Sequence, residues 1–282
     1  MLQLISDNNT LIFDRPAVMG ILNVTPDSFS DGGRFNQMDK ALQHCEQMLA
    51  DGADIIDIGG CSTRPNNAIA TESEEMERVV PILKAIKKAF PEVLVSIDTF
   101  RKNIAEACMN EGANIINDIS GGLFDEAMLP YIGANHIPYV MMHCVGTPET
   151  MHLYTLGGDI HQTVLDFFKQ QCQVLEAYGE QQIILDPGIG FGKSLEANYQ
   201  LLGDLDRYRY NHLPILIGIS RKSLINKVLH TTPDTAENGT TVLNTLALLN
   251  GADILRVHDV KNAREAIELV GTFCNFAQNF TS

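Results

Sequence analysis

Positive charge is scarce in this sequence: 20 lysines and arginines face 35 aspartates and glutamates, a formal net charge of −15 over 282 residues. That balance argues against nucleic acid or an anionic membrane surface as the main partner. It leaves room for a small anionic substrate, but any phosphate site must gather its own cations locally. Long apolar runs are missing too. Stretches such as Ile183 to Leu185 and Pro214 to Ile219 are far shorter than the ~20 residues a membrane span needs, so no membrane partner is expected. Residues Met1 to Thr10 lack the basic-then-apolar pattern of an export signal, which makes the cytoplasm the expected location. The six cysteines, Cys45, Cys61, Cys108, Cys144, Cys172 and Cys274, are scattered without a CxxC pair, the pattern of reduced, mostly buried thiols. Linkers and low-complexity stretches are absent, so residues 1–282 are expected to form a single domain.

What is present is a recurring short strand. Apolar, β-branched runs fall near Val18–Leu22, Asp54–Ile58, Val93–Ile97, Asn114–Ile116, Tyr139–Met142, Gln182–Leu185, Ile215–Ile219 and Ile254–Val257. Continuous rather than alternating apolarity marks parallel strands covered on both faces. Helical spacing fills the gaps, as with Ala41, Cys45, Met48 and Leu49 on one face before Gly52. Gly-Ala-Asp or Gly-Ala-Asn recurs at Gly52, Gly112, Gly133 and Gly251, each time ahead of a strand, and glycine there suits the left-handed residue that closes a helix. Repeated βα units in a chain of this length predict an α/β fold, a (β/α)8 TIM barrel, with residues 2–13 adding a short N-terminal β-hairpin turned at Asp7-Asn8-Asn9.

Nearly every strand ends in something polar: Asn23, Asp57 to Gly60, Asp98, Asn117 with Asp118, His143, Asp186, Ser220 to Ser223, and Arg256 with His258. The C-terminal mouth is where such barrels place their chemistry. After the first strand, Asn23-Val-Thr-Pro-Asp-Ser-Phe-Ser-Asp-Gly-Gly33 reads as a lid carrying Asn23, Asp27, Asp31 and an exposed Phe29. The Asn23 amide oxygen suits a hard cation such as magnesium, which bridges phosphates with only one or two protein ligands. Gly59-Gly-Cys-Ser-Thr-Arg-Pro65 sets Arg64 among hydroxyls and flexible backbone, fit for an anion or an ordering contact. Carboxylates paired with an amide, as Asp98 and Asp186 with Asn117, can read the donor–donor edge of an aminopyrimidine ring. Asp186-Pro-Gly-Ile-Gly-Phe-Gly-Lys193 has the wrong spacing for a Walker loop and reads as a pocket wall with Phe191 as its apolar surface. Ser220-Arg-Lys-Ser223 follows the seventh strand, a frequent anion site in barrels, and alternation puts Arg256 and His258 on one side, suited to a leaving pyrophosphate.

In this order, NVTPDSFSDGG, GGCSTRP, SIDT, INDISGG, MMH, DPGIGFGK, GISRKS and RVHD closely resemble the dihydropteroate synthases, over about residues 16–260. The resemblance implies condensation of 6-hydroxymethyl-7,8-dihydropterin pyrophosphate with p-aminobenzoate, by an SN1-like displacement, in folate biosynthesis. It implies that Asp98, Asn117, Asp186 and Lys222 hold the pterin ring, with Met141 and Phe191 lining the pocket. Arg256 is then expected to stack on the pterin and touch phosphate, and Asn23 and His258 to bind the pyrophosphate and its Mg2+. Thr63 and Arg64 belong to the second loop, Ser223 with Lys222 to the p-aminobenzoate side, completed by Phe29 and Pro65. Asp98, Asp186, Lys222, Arg256, His258 and Asp31 are the expected catalytic set, sulfonamides the expected inhibitors and a homodimer the expected assembly. Two positions depart from the family: Cys61 stands where many bacterial members have glutamate, and Asn66 where glycine commonly follows Arg-Pro. Two rival readings keep the barrel, a corrinoid-linked pterin methyltransferase and a non-catalytic pterin-binding paralogue. The first would not need the Asn23 loop or the Arg256/His258 pair, and the second would be expected to lose one of the motifs.

Overall fold

The computed structural model describes residues 2–6, 9–25, 34–62, 69–147, 150, 155–156 and 158–278. A hairpin, β1 (Leu2–Ser6) and β2 (Asn9–Phe13), comes first; its strands pair antiparallel from Leu2 opposite Phe13 to Ser6 opposite Asn9. Strands and helices then alternate: β3 (Ala17–Asn23), α1 (Arg34–Ala50), β4 (Ile55–Gly59), α2 (Glu72–Ala89), β5 (Leu94–Asp98), α3 (Lys102–Asn110), β6 (Ile115–Asp118) and α4 (Met128–Asn135). The second half adds β7 (Tyr139–Met142), α5 (Ile160–Glu176), β8 (Ile183–Asp186), α6 (Leu195–Gly203), β9 (Leu216–Ile217), α7 (Ser223–Leu229), α8 (Glu237–Leu249), β10 (Ile254–Val257) and α9 (Val260–Gln278).

The parallel sheet runs β8-β7-β6-β5-β4-β3-β10-β9, so chain order is kept around the ring and β10 closes on β3. Between β8 and β9 the closure is thin. Leu185 bridges Ile215, and the Leu185 N–H donates to the Pro214 carbonyl at 2.8 Å. The expected eight-stranded barrel with its hairpin is what forms, and no described helix is long and apolar enough to cross a membrane.

Strand alternation separates two cores. Residues such as Val18, Ile56, Val95, Ile116, Leu185 and Leu255 point outward into the cluster shared with the helices. Their neighbours Ala17, Met19, Ile55, Leu94, Ile115, Val140, Ile184, Leu216 and Ile254 fill the barrel floor, and Phe13 of the hairpin packs against them. A floor filled by side chains is a packed core rather than a pore, so ligands are confined to the mouth above it.

Helix ends explain the turns. Thr71 caps α2 in a reciprocal box with Glu74, whose side chain accepts from the Thr71 N–H at 2.8 Å. Gly52, Gly112 and Gly251 adopt φ of 97°, 91° and 92° just past α1, α3 and α8, as their repeat predicts. Gly133 does not. It lies inside α4, and His136 takes the left-handed position instead, at φ 51°. A Cβ at Gly133 would sit 2.5 Å from the Tyr178 ring, so this glycine answers to helix packing.

Candidate active site

The polar mouth is built by strand register. Asn23 pairs with Gly59, Gly59 with Asp98, and Asp98 with Asn117, so these four sit level across β3, β4, β5 and β6 and share the inner face. One inward step below Gly59 lies Asp57, fully buried. Its Oδ2 accepts from Asn117 Nδ2 at 3.1 Å and from Arg256 Nε at 2.6 Å, while its Oδ1 is buried without a partner. Arg256 reaches on to Asp98 Oδ2 with Nη2 at 2.6 Å. Three of the expected residues, Asp98, Asn117 and Arg256, are therefore joined through a fourth, Asp57, which the sequence marks only as a polar strand end. The signal was a lone aspartate on the inward phase of Ile55-Ile56-Asp57-Ile58.

Opposing charges meet in a poorly solvated place. Burial pushes the Asp98 carboxyl up to about 7, against the pull of Arg256. Burial likewise raises Asp186, with Lys222 the main opposing charge, and lowers Lys222 to about 8 against the attraction of Asp186. For Arg256, burial works against the charge, but Asp57 and Asp98 outweigh it and raise its pKa. Asp186 Oδ1 accepts from the Gly188 N–H at 2.7 Å, and Lys222 donates to the Ile189 carbonyl at 2.6 Å while lying 4.5 Å from the Phe191 ring centre. Phe191 is thus at the wall, as expected from its loop.

The methionine of that wall is not Met141. Met141 is fully buried in the outer cluster against the helices, level with Asp118. Met142 pairs with Asp186 and packs near Phe191 with Ile119 and Cys144, so the inward residue of the Met-Met pair is the second. Asp118 also faces outward. It accepts from Ser120 N and Oγ, Gly122 N and the Tyr139 hydroxyl, and shapes the turn after β6.

At the far rim, the Ser220 hydroxyl accepts from the His258 N–H at 3.2 Å and lies 3.0 Å from His258 Nδ1. Arg221, one of the two cations read as an anion site, is instead committed to Asp259, with Nη2 and Nε at 2.6 and 3.1 Å from its carboxylate. Only Lys222 of that pair turns into the mouth. Lys193 is structural. It is buried and donates to the carbonyls of His143, Gly188 and Phe191 at 3.1, 2.9 and 3.1 Å, and burial lowers it to about 7. His143, beside it, is pushed down to about 3 by burial. Ser223 opens α7 and is exposed. Asp27, Phe29, Asp31, Thr63, Arg64, Pro65 and Asn66 lie outside the described residues. The stems of the second loop are described: Arg78 donates to the Gly60 carbonyl at 3.0 Å, and Arg101, paired with buried Glu75, donates to the Ala70 carbonyl at 2.6 Å.

Such a mouth, with acceptors and cations interleaved beside an aromatic wall, fits a flat, donor-edged ring bearing an anion. Residues 19–258 match the family of pterin binding enzymes. Dihydropteroate synthase of Escherichia coli K12 is 39% identical over 280 residues, 99% of each chain. The chain belongs to the dihydropteroate synthase family. The Yersinia pestis dihydropteroate synthase, solved in a sulfonamide drug complex, superposes with a TM-score of 0.89 at 40% identity, covering 97% of this chain and 99% of that one. The Burkholderia cenocepacia dihydropteroate synthase, solved with 7,8-dihydropteroate, gives 0.87 at 34% identity over 98% of both. Within this family of barrels, the row from Asn23 to Asn117 stands on the strand ends at the mouth.

The same row bears on magnesium. A Cβ at Gly59 would lie 3.5 Å from Asn23 Oδ1 and 3.6 Å from Asp98 Oδ2, so the glycine leaves a hollow lined by hard oxygens. Among the described residues no group of three or more His, Cys, Asp or Glu could hold a metal. A magnesium ion here would take most of its ligands from substrate phosphates and water, which is its usual habit.

Proposed function

We propose that this chain condenses 6-hydroxymethyl-7,8-dihydropterin pyrophosphate with p-aminobenzoate, giving 7,8-dihydropteroate and pyrophosphate, as a transferase of folate biosynthesis. The observation that carries the reading is the set of buried Asn117 and Asp186 with half-buried Asp98, Lys222 and Arg256 at one barrel mouth, in a chain of this family. Asp98, Asn117 and Asp186 accept from the aminopyrimidine edge, and Lys222 donates to the ring's oxygen. Phe191 and Met142 supply the apolar faces.

The pterin methylene–oxygen bond breaks well before the arylamine nitrogen attacks, so positive charge builds on the ring. Two carboxylates in a low-dielectric mouth favour that charge more strongly than they would in water. Arg256 and His258 hold the departing pyrophosphate. The Ser220 hydroxyl, which accepts from the His258 backbone N–H and lies 3.0 Å from Nδ1, fixes the orientation of the ring. Asn23 Oδ1 is the protein ligand offered to magnesium, which would neutralise the leaving group's charge. The amine becomes the new carbon–nitrogen bond, and its lost proton goes to water or pyrophosphate, so a strong general base is not required. Ser223 and Lys222 form the described part of the p-aminobenzoate side, with Phe29 and Pro65 assigned to complete it.

A second copy of the chain is the proposed partner. Val242, Leu246 and Leu249 of α8, with Leu269, Phe273 and Phe276 of α9, are large and exposed on two helices that pack together, a patch of the kind that marks an interface. The deciding assay for function is pyrophosphate release from the pterin substrate with magnesium, with and without p-aminobenzoate. Release that requires both substrates, with dihydropteroate as co-product, is expected; no release, or release indifferent to the arylamine, would refute the reading.

A further inference from the structure

Asp57 stands at the middle of the site without a place in the recognition scheme above. In the order β6-β5-β4-β3-β10, its strand β4 is central, and its two donors come from the outermost members, Asn117 on β6 and Arg256 on β10. Both N–H groups converge on one oxygen, Oδ2, and the side chain is 0% exposed. An oxygen that takes N–H donors from both Arg256 and Asn117 acts as an acceptor toward each. The Asn117 amide therefore has its NH2 turned to Asp57 and its carbonyl oxygen left for the mouth. Without that anchor an asparagine amide can rotate and exchange donor for acceptor.

We propose that Asp57 is a positioning residue that sets the hydrogen-bond polarity of the ring site. It holds Asn117 so that Oδ1 joins the carboxylates of Asp98 and Asp186 in an all-acceptor edge, and it keeps Arg256 tethered by Nε when the ligand takes Asp98 from Nη2. The specificity that follows is for a ring edge of donors. A pterin, with its 2-amino group, matches it; the 2-oxo analogue sets a carbonyl oxygen against an acceptor. Asp57 acts through Asn117 and Arg256 and touches no ligand atom. Its unpartnered Oδ1 is consistent with a group kept for its charge at Oδ2 rather than for its full hydrogen-bonding capacity.

This inference rests on the pterin reading, and its test separates the two. Calorimetry with 6-hydroxymethyl-7,8-dihydropterin and its 2-oxo analogue should show the wild-type protein preferring the amino compound by about 10-fold or more, since a mismatched buried polar pair costs ~1–3 kcal/mol. Asp57→Asn keeps the shape, removes the charge and can offer Asn117 a donor, so the preference should fall about 10-fold while the far-ultraviolet spectrum and melting stay native. Ser96→Ala, at the position paired with Asp57 in the next strand, perturbs the same layer and should leave the preference intact. A folded Asp57→Asn with undiminished preference overturns the inference and leaves the pterin reading standing. A wild-type protein that binds neither compound overturns both. Where Asp57→Asn does not fold, a crystal structure of the wild-type protein with the pterin alcohol decides. Asp57 bridging Asn117 and Arg256 clear of the ligand supports the inference, and Asp57 on the ring, or the Asn117 amide reversed, refutes it.

Discussion

Asp98 and Lys222 are drawn by burial toward the same narrow range of pH, one from below and one from above. The carboxyl rises to about 7 and the ammonium falls to about 8. The proposed chemistry needs the first ionised and the second protonated. A kcat/KM profile for the pterin substrate should therefore be bell-shaped, falling below about 7 as Asp98 gains a proton and above about 8 as Lys222 loses one. Asp98→Asn should lower activity and abolish the acid limb; an acid limb that survives would assign it to another group. Stability runs with opposite signs at the two sites. The raised Asp98 contributes fully below its ordinary value near ~3.9 and loses that contribution as pH rises through about 7. The depressed Lys222 contributes above its ordinary ~10.4 and loses it as pH falls through about 8. Near neutrality the empty site thus holds two charges that burial disfavours, and a ligand that bonds to both recovers that free energy. Asp186→Ala and Lys222→Ala should each weaken binding of the pterin alcohol by ~1–3 kcal/mol or more, because each leaves other buried groups unpaired. Calorimetry showing unchanged affinity in both variants would dissolve the pocket assignment.

The element that carries most of this geometry is the loop from β8 to α6. Gly188, Gly190 and Gly192 have φ of 69°, 87° and 66°, and Lys193 ties the loop to the carbonyl after β7. A Cβ at Gly188 would lie 1.9 Å from the His143 carbonyl oxygen, a backbone atom with little freedom to retreat. Gly188→Ala should lower stability by several kcal/mol, on the order of the larger single-mutation effects, and displace the N–H that Asp186 accepts. Denaturant unfolding checks it, and a native midpoint would show that the loop can shift bodily. This loop also shows where sequence reading reached and where it stopped. Its glycines and Phe191 were legible because backbone conformation and apolar surface are local properties. Met141 and Met142 were not separable, since the parity of a four-residue strand depends on its register with neighbours. The Gly133 repeat misled because the same tripeptide can end a helix or sit one turn inside it, and here a close approach to Tyr178 requires the glycine. Asp57 and Arg256 stand 199 positions apart, and Arg221 found Asp259 38 positions on. Pairings of that kind are set by barrel closure, which no local pattern records.

At the scale of the whole molecule, the mouth and the proposed dimer face share an element. Helix α7 begins at Ser223, beside Lys222, ends with Val228 and Leu229 exposed, and packs on α8. A cleft of about 560 Å³ lined by Glu237, Thr241, Asn262 and Leu269 lies on this flank, away from the catalytic groups, and belongs to the same surface. Two copies meeting there would bring together chains of formal charge −15 each. Association must then be driven by apolar burial against electrostatic repulsion, and salt, which screens the repulsion over about 10 Å at 0.1 M, should tighten it. Light scattering behind size exclusion is expected to report a dimer whose dissociation is suppressed as salt rises. The double variant Leu246→Glu with Phe273→Glu should be monomeric, because two charges per copy would be buried without partners. Its affinity for the pterin alcohol should remain, since Asp57, Asp98, Asn117, Asp186 and Arg256 are all carried by barrel strands of one chain. A wild-type monomer at micromolar concentration, or a dimer that salt disperses, would refute the apolar interface, while loss of pterin affinity in a folded monomeric variant would show that α7 transmits the contact to Lys222.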